Sequence, residues 1–343
     1  MVINIVESRE QYVNFVRFYQ FNIVEDKIFT GLYIDEELTE DDIEAINKGD
    51  AVYARRPSDE LLKNISVPIF SQNENPLSYK GHLNNDFIYL SDLLFMSFYE
   101  KSFEFPNYCI KFRNVMNMKR DIDVLYIGSN RGKPGLSNIV PFLCSFFMKN
   151  SFESIMFYDW IEKFVAGCVK KNRAINFYLP IFFQRINQSV RWHRRRVIQR
   201  QLMKISEDGY NVTVFGDMIL DSKMINYRGN MNYDDIEKYF LRAKIIICTT
   251  PNHLSMLNER FVAAVRYGAI PLIEPYPQYM VRSGAHKDFQ YNYVKDNLYH
   301  KCLGILKNYT VFMTAYDEYS NEISRKYSVE KCRNLYKNIL RNV

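Results

Sequence analysis

The stretch "SMLNERFVAAVRYGAIPLIEP", residues 255–275, decides the fold of this 343-residue chain. A polar start is followed by a run with helical spacing, then by Gly268 and an apolar segment that ends in Glu-Pro. This order predicts a helix that leads directly into a buried strand, the repeating unit of α/β proteins with parallel sheets. Asn258, Glu259 and Arg260 then fall in the first turn of the helix, directed toward the edge of a sheet.

The same alternation recurs along the chain in two series. The strand candidates of the first series are "VINIV", "IFTGLYI", "AVYA", "VPIF", "FIYL" and "YCIKF". A second series starts at "DIDVLYIGSNRG" and continues through "NVTVFG", "KIIICTT" and "AIPLIEP". The rhythm predicts two Rossmann-like domains in tandem, at 1–118 and 119–316. An insertion near 131–190 interrupts the second domain, and amphipathic closing helices are predicted at 317–343.

Two helices between these strands have clear sequence signals. In "TEDDIEAINKG", Thr39 is predicted to be the N-cap and Gly49 the stop. In "RRVIQRQLMKISEDG", Ile198, Leu202 and Ile205 share one face, which predicts that this face is buried.

The net charge of +6 is concentrated in one segment. From Lys163 to Lys204 there are eleven Lys and Arg residues and no Asp or Glu. The remainder, with 34 basic and 39 acidic residues, is slightly negative. Such a local concentration indicates either an anionic partner at one place or a solvated basic helix face.

Cysteine spacing and apolar runs bear on the compartment. The six cysteines lie far apart and form no CxxC pair, so neither a zinc site nor a disulfide framework is indicated. "MVINIVESRE" begins as a strand, and the most apolar run, "IVPFLCSFFM", is about half a membrane span. We therefore expect a cytoplasmic protein without a transmembrane segment, from a bacterium or a virus that infects one.

Polar and basic residues follow the strands of the second series. In open α/β sheets, ligands bind beyond the carboxyl ends of the strands, where helix N-termini offer unpaired N–H groups. A guanidinium there can bind a diphosphate through two donors, and a carboxylate can accept both hydroxyls of a ribose. The candidate ligands of a nucleotide are Gly128, Ser129, Arg131, Asn252, Asn258, Glu259 and Arg260.

The combined run "DIDVLYIGS … GYNVTVFGD … YRGNMNYDDIEKYFLRAKIIICTTPNH … LNERFVAAVRYGAIPLIEP" resembles the C-terminal, donor-binding domain of GT-B glycosyltransferases. Among these it is most similar to the spore-maturation-type group-1 enzymes and to the T-even phage DNA β-glucosyltransferase. The resemblance lies mainly between Asn211 and Pro275. It implies an α/β fold in which two Rossmann-like domains face each other across a cleft.

The resemblance also implies roles for individual residues. The Gly128-Ser129 turn and Arg131 would face the donor diphosphate, and Arg260 matches an arginine that these enzymes use near the phosphates. One guanidinium of the cluster Arg194, Arg195 and Arg196 would join them, although the insertion delays this cluster relative to the family pattern. Which member of the cluster serves is left open by the sequence.

The chain departs from the group-1 pattern at the ribose site. Many group-1 enzymes hold two glutamates eight positions apart, and the corresponding places here are Ser255 and Ala263. Glu259 lies one helical turn before the second place. It is either a ribose ligand from a neighbouring direction or an ordinary acid favoured by the helix dipole.

For the amino-terminal domain, the resemblance implies the acceptor site and, in an inverting enzyme, a general base. The loop "SQNENP" follows the strand "VPIF", which is similar to the placement of the catalytic aspartate loop in the phage enzyme. Glu74 is therefore the candidate base, with Asp59 and Asp86 as alternatives. A surface loop acid beside a Pro turn is the competing interpretation of each.

The same reasoning predicts the class of the donor, the need for a metal ion and the nature of the acceptor. The resemblance implies a UDP-sugar donor, such as UDP-glucose, and no required cofactor. The "DID" at Asp121 and Asp123 precedes its strand, and no histidine cluster has metal-ligand spacing, so a divalent metal is not indicated. The basic "RWHRRR", with Trp192 for stacking, is either a nucleic-acid contact, which would fit an anionic polymer as acceptor, or the diphosphate arginines with solvated neighbours. Hydroxymethylated DNA is one candidate and a surface glycan or protein another, while a non-catalytic nucleic-acid-binding module is the alternative from a different class.

Overall fold

A computed structural model describes most of the two predicted series but not the insertion predicted near 131–190 within the second. The described residues are 1–9, 29–54, 58–72, 88–91, 102–104, 119–128, 192, 194–216, 224–229, 236–249, 259–274, 287–293, 296–326 and 328–342. The chain divides into two compact units. One consists of Met1–Lys111 together with Tyr327–Val343, and the other of Phe112–Lys326.

Strands and helices alternate along the described chain. The strands are β1 (Ile3–Glu7), β2 (Gly31–Ile34), β3 (Ala51–Tyr53), β4 (Ile69–Gln72), β5 (Ile88–Ser91), β6 (Ser102–Glu104), β7 (Ile122–Gly128), β8 (Val212–Gly216), β9 (Asn226–Tyr227), β10 (Ala243–Cys248) and β11 (Ile270–Ile273). The helices are α1 (Glu40–Asn47), α2 (Asp59–Asn64), α3 (residues 194–207), α4 (Ile236–Arg242), α5 (Glu259–Arg266), α6 (Asn297–Lys307), α7 (Tyr309–Lys326) and α8 (Val329–Asn342). Short 3-10 helices lie at Asp35–Glu37 and Lys287–Phe289.

The sheet of the first unit contains β1 to β6 in the order β2-β1-β3-β4-β5-β6, and all its pairs are parallel. Every residue of β1 is buried, so this strand is covered on both faces, as strands of parallel sheets are. One face is covered by a cluster that includes Ile3 and Ile5, and the other by a cluster that includes Val6. Because successive strand residues point to opposite faces, an unbroken apolar run such as "VINIV" suits this position.

The last helix belongs to the core of the first unit. Cys332, Tyr336 and Ile339 of α8 lie in the same buried cluster as Ile3 and Phe70. The predicted closing segment at 317–343 is therefore divided between the units, since α7 ends in the second unit and α8 packs on the first sheet. The reason is the apolar stripe of α8, which is buried only against that sheet.

The sheet of the second unit has the order β11-β10-β7-β8-β9, again with parallel pairs throughout. From β7 the chain proceeds outward through β8 and β9, then crosses to the other side of β7 for β10 and β11. The strand order therefore reverses between β7 and β10, where Ile245 pairs with Val124. In open α/β sheets such a switch point opens a crevice at the carboxyl ends of the strands.

Local predictions can be compared with these elements. All predicted strands except "YCIKF" have a counterpart, and that run lies outside the described residues. The short strands β6 and β9 were not predicted. Thr39 caps α1, accepting a hydrogen bond from the Asp42 N–H while the Asp42 side chain accepts one from the Thr39 N–H. Ile198, Leu202 and Ile205 of α3 are fully buried on one face, as their spacing predicts.

Arg120 connects the amino edge of the second sheet to the carboxyl ends of two helices by hydrogen bonds. Arg120, just before β7, donates from Nη1 to the carbonyl oxygen of Ala243 and from Nη2 to that of Tyr267, at 2.5 and 2.6 Å. These carbonyls follow α4 and α5, whose last C=O groups have no partner within the helix.

Among the described helices, none combines the length and apolar character of a membrane span.

Candidate functional site

The described parts of the predicted nucleotide site meet at the carboxyl edge of the second sheet. Gly128 ends β7, Cys248 ends β10 and Ile273 ends β11. The first turn of α5 lies at this edge as well, and Arg194 of α3 reaches it. Helix N-termini carry unpaired N–H groups and a partial positive charge, so the edge is suited to an anion.

Arg194 points into the protein body at the start of α3. Its side chain is buried, and Nη1 lies 3.5 Å from Oε2 of Glu274, the residue after β11. Its guanidinium lies over the ring of Tyr293, 5.1 Å from the centroid, and the Tyr293 hydroxyl donates to Oε1 of Glu274. The three side chains thus form a buried cluster, the Arg194–Glu274–Tyr293 cluster, beneath the edge.

Arg195 and Arg260 act on one buried phenol, Tyr126 of β7. Burial raises the pKa of Tyr126, and the negative charge of Glu274 adds to this, whereas the positive charges of Arg195 and Arg260 lower it. The geometry brings both basic segments to the same edge of the sheet. Arg194, the neighbour of Arg195, lies 3.5 Å from Glu274 just after β11, and Arg260 donates to Thr249 just after β10.

Arg260 links the first turn of α5 to the end of β10. Its Nη1 donates to the carbonyl oxygen and to Oγ1 of Thr249, at 3.3 and 3.4 Å. Burial raises the pKa of the neighbouring Cys248 thiol, and the charge of Arg260 only partly offsets this. Cys248 is thus a protonated, apolar core residue rather than a nucleophile.

Arg196 takes a third direction. Its guanidinium lies over the Trp192 ring, 5.4 Å from the centroid, rather than on Tyr126 or Glu274. Successive helix residues are rotated by about 100°, so three consecutive arginines cannot share one target. The predicted cluster at 194–196 is thereby separated into three environments.

Gly128 lies directly against Tyr126. A Cβ atom at residue 128 would lie 2.5 Å from the Tyr126 hydroxyl oxygen and 2.7 Å from Cζ of the ring. These distances are too short for any side chain, so glycine is needed here for close approach rather than for a positive φ. The backbone at the end of β7 therefore packs directly against the buried Tyr126 side chain.

The other predicted site residues are not in the described part of the chain. Glu259 is the first residue of α5, but its side chain and that of Asp59 are not described. The remaining residues outside the description are Glu74, Asp86, Ser129, Arg131, Asn252 and Asn258. The base and the ribose ligand therefore stay predictions.

The acidic pair of the "DID" motif lies at the opposite edge of the sheet. Asp121 accepts from Arg242 and Asp123 from Lys244, at 2.6 Å in each ion pair. Both carboxylates are thus engaged in ion pairs. Within the described ranges, no group of three or more His, Cys, Asp or Glu side chains could hold a metal ion.

Three residues of this region were not singled out from the sequence: Glu274, Tyr293 and Tyr126. For Glu274 a signal existed, because an acid that directly follows the apolar run "IPLI" stands at the carboxyl edge of a parallel sheet. The two tyrosines are inconspicuous in a chain with 26 tyrosines. Their importance emerges only from the contacts.

Comparison with known proteins identifies the fold class. No family model matches the chain, and no curated protein matches it. Solved structures resemble it over 99% of both chains. One is a DNA-modifying β-glucosyltransferase studied with and without uridine diphosphoglucose, with a TM-score of 0.53 and 12% identity. Another is an α-glucosyltransferase in complex with UDP-glucose and DNA containing an abasic site, with a TM-score of 0.50 and 11% identity. A third is T4 phage BGT with UDP and Mn²⁺, with a TM-score of 0.53 and 10% identity.

These likenesses show the fold. The chain has the GT-B fold, as the resemblance in its sequence predicts. At this level of identity the substrates of those enzymes are not transferred to this chain by the comparison alone.

Proposed function

We propose that this protein is a glycosyltransferase that moves a hexose from a UDP-sugar to a hydroxyl group on DNA. The observation that carries the proposal is the convergence of two basic segments on the carboxyl edge of the second sheet, where Arg194 lies 3.5 Å from Glu274, just after β11, and Arg260 donates to Thr249, just after β10. Proteins with the same fold include complexes with UDP-glucose and with DNA. The convergence supplies what such a donor requires, positive charge at the carboxyl edge.

In this proposal Arg195 and Arg260 bind the diphosphate. Arg194 is engaged with Glu274, and Arg196 lies over Trp192, so Arg195 is the member of the cluster assigned to the donor. As the glycosidic bond to the donor breaks, negative charge develops on the departing UDP. Fixed guanidiniums and helix N-termini stabilise that charge without reorganising, which lowers the barrier. Gly128, Ser129, Arg131, Asn252 and Asn258 complete the proposed donor site, and Glu259 is the proposed ribose ligand.

The acceptor hydroxyl has to lose a proton during transfer. Glu74 is the proposed general base, with Asp59 and Asp86 as alternatives, and inversion at the anomeric carbon is the proposed outcome. The scheme assigns no step to a metal ion. Since one similar structure contains Mn²⁺, transfer should be assayed both with Mn²⁺ and with a chelator.

The acceptor proposal rests on charge. Eleven basic and no acidic residues between Lys163 and Lys204 suit a polyanion, and phosphate contacts dominate protein–DNA affinity. Hydroxymethylated DNA provides both the polyanion and a reactive hydroxyl. Such a reaction takes place in the cytoplasm, the compartment expected from the sequence.

Nucleotide binding tests the donor. The melting temperature is measured with UDP, GDP, ADP and CDP, and we expect a marked rise with UDP alone, because a ligand that binds only the folded state stabilises it. A larger rise in melting temperature with another nucleoside diphosphate would assign the donor to that nucleotide instead of to UDP. Transfer of labelled glucose from UDP-glucose to hydroxymethylated DNA, with unmodified DNA as the control, then tests the acceptor.

Two other functions remain as alternatives to DNA glucosylation. Ser255 and Ala263 occupy the places where group-1 enzymes hold glutamates, and the absence of these carboxylates is compatible with a non-catalytic nucleic-acid-binding module. That module would bind DNA without any stabilisation by UDP. A transferase acting on a surface glycan or a protein would be stabilised by UDP yet leave hydroxymethylated DNA unlabelled.

A further inference from the structure

We infer that Glu274 is a positioning residue, which orients Arg195 toward the diphosphate by fixing Arg194. The inference deepens the proposed function and rests on it. Glu274 is 1% exposed, so it cannot contact a substrate itself. Its effect has to pass through the Arg194–Glu274–Tyr293 cluster.

A buried carboxylate at this place is not required by the fold. Ile270, Leu272 and Ile273 of β11 are all buried apolar residues, and another apolar side chain would continue the pattern. Burying an ionised group costs free energy unless it is paired and hydrogen-bonded. Glu274 is paired with Arg194 and accepts from Tyr293, and this arrangement offsets the cost.

The cluster holds the part of α3 that carries Arg195 against the carboxyl edge of the sheet, while the buried residues Ile198, Leu202 and Ile205 set the rotation of the helix. Arg194 is held from two sides, by the Glu274 carboxylate and by the face of the Tyr293 ring. Because neighbouring helix residues differ in direction by about 100°, fixing Arg194 inward directs Arg195 to a different side. Arg260, which donates to Thr249 two residues after the paired residues Ile247 and Tyr126, lies at the same carboxyl edge.

Glu274 also acts electrostatically on the same place. Burial raises the pKa of Tyr126 and of Cys248, the negative charge of Glu274 adds to this, and the charge of Arg260 lowers both. The geometry agrees, since the carboxylate directly follows β11 and lies 3.5 Å from Nη1 of Arg194.

The test compares UDP with uridine. Dissociation constants of both are measured by calorimetry for the wild type and for Glu274→Gln, which keeps a hydrogen-bond acceptor for Tyr293 but loses the charge. We expect UDP to bind at least about tenfold more weakly, the effect of one lost charge-assisted hydrogen bond. Uridine, which has no phosphate, should bind as before. Asp121→Asn, which breaks an exposed ion pair at the opposite edge, is the matched control and should change neither constant.

A double variant tests whether weaker UDP binding results from the lost positioning of Arg195 or only from an unbalanced buried charge. Arg194→Met with Glu274→Leu removes both charges, so no unpaired ion is buried and the fold is retained. If the cluster positions Arg195, this variant melts near the wild-type temperature yet still binds UDP at least about tenfold more weakly. Recovery of wild-type UDP affinity would overturn the inference, as would equal losses for UDP and uridine in Glu274→Gln.

Failure of the proposed function looks different. A wild-type protein that does not bind UDP overturns the proposed function and this inference together. A wild-type protein that binds UDP, with Glu274→Gln binding it equally well, overturns the inference alone.

Discussion

Gly128 shows how a single hydrogen atom in place of a side chain shapes the candidate site. We predict that Gly128→Ala lowers the free energy of unfolding by about 1–3 kcal/mol, because the new methyl group overlaps the buried Tyr126 ring. Urea denaturation measures the change. Gly304→Ala is the control, since no atom lies within 4 Å of its added Cβ. That substitution in the interior of α6 should stabilise by about 0.5–1 kcal/mol. Equal effects of the two substitutions would contradict the steric argument.

Arg260 is the residue whose loss should most directly weaken nucleotide binding. We predict that Arg260→Ala weakens UDP binding by about ten- to a hundredfold, the range of a hydrogen bond to a charged group. Arg260→Lys should recover only part of the affinity, because an ammonium cannot pair bidentately with phosphate oxygens. Calorimetric titration with UDP provides the measurement. Arg228→Ala, at an exposed position, serves as the control, and an equal loss there would show that only net charge matters.

At the scale of the element, the first turn of α1 couples a helix cap to a titrating group. Hydrogen bonds from Thr39 lower the pKa of Asp42 below its ordinary 3.8. We predict that Thr39→Ala raises the pKa of Asp42 toward that value, as followed by NMR titration of the carboxyl carbon. Because the folded-state pKa is lowered, the associated stability is present above pH 3.8 and is lost as the pH falls through the folded-state pKa. The difference in stability between wild type and variant should therefore shrink on acidification, and an unchanged pKa would exclude this cap.

The amino edge of the second sheet is held by Arg120. We predict that Arg120→Met lowers the free energy of unfolding by about 1.5–3 kcal/mol, because carbonyls after α4 and α5 lose charged donors. UDP affinity should not change, since the site is at the other edge. Arg242→Ala removes an exposed ion pair with Asp121 and should cost less than about 1 kcal/mol. If Arg120→Met weakened UDP binding while leaving stability intact, the two edges would not be independent.

At the scale of the whole molecule, the C-terminal helix belongs to the core of the first unit. Tyr336 lies edge-to-face with Phe29 and Phe70, with ring centroids 5.9 and 5.2 Å apart. We predict that Tyr336→Ala lowers the free energy of unfolding by about 3–5 kcal/mol, because it leaves a cavity among these rings. Urea denaturation again measures the effect. The exposed neighbour is the control, since Lys337→Ala should stay within about 0.5 kcal/mol. If both substitutions lowered the free energy of unfolding by similar amounts, the assignment of α8 to the core of the first unit would be wrong.

Several features of the fold could be predicted from the sequence because parallel strands are buried on both faces. A strand of this kind is a short apolar run, as in "KIIIC" and "AIPLI", so β10 and β11 could be predicted directly. The cap at Thr39 is equally local, since it depends on side chains three residues apart. In contrast, β6 and β9 are three and two residues long and lack such a run. Their strand character comes from pairing with a neighbour.

The sequence by itself determined the α/β class, the succession of strands and helices, and the basic residues that stand near the carboxyl edge of the second sheet. Only the tertiary structure decided the strand order, the return of α8 to the first unit, and the separate directions of Arg194, Arg195 and Arg196. The physical reason is the range of the interactions. Apolar spacing and caps act within a few residues, whereas the inward direction of Arg194 is set by Glu274 and Tyr293, which are 80 and more residues away along the chain.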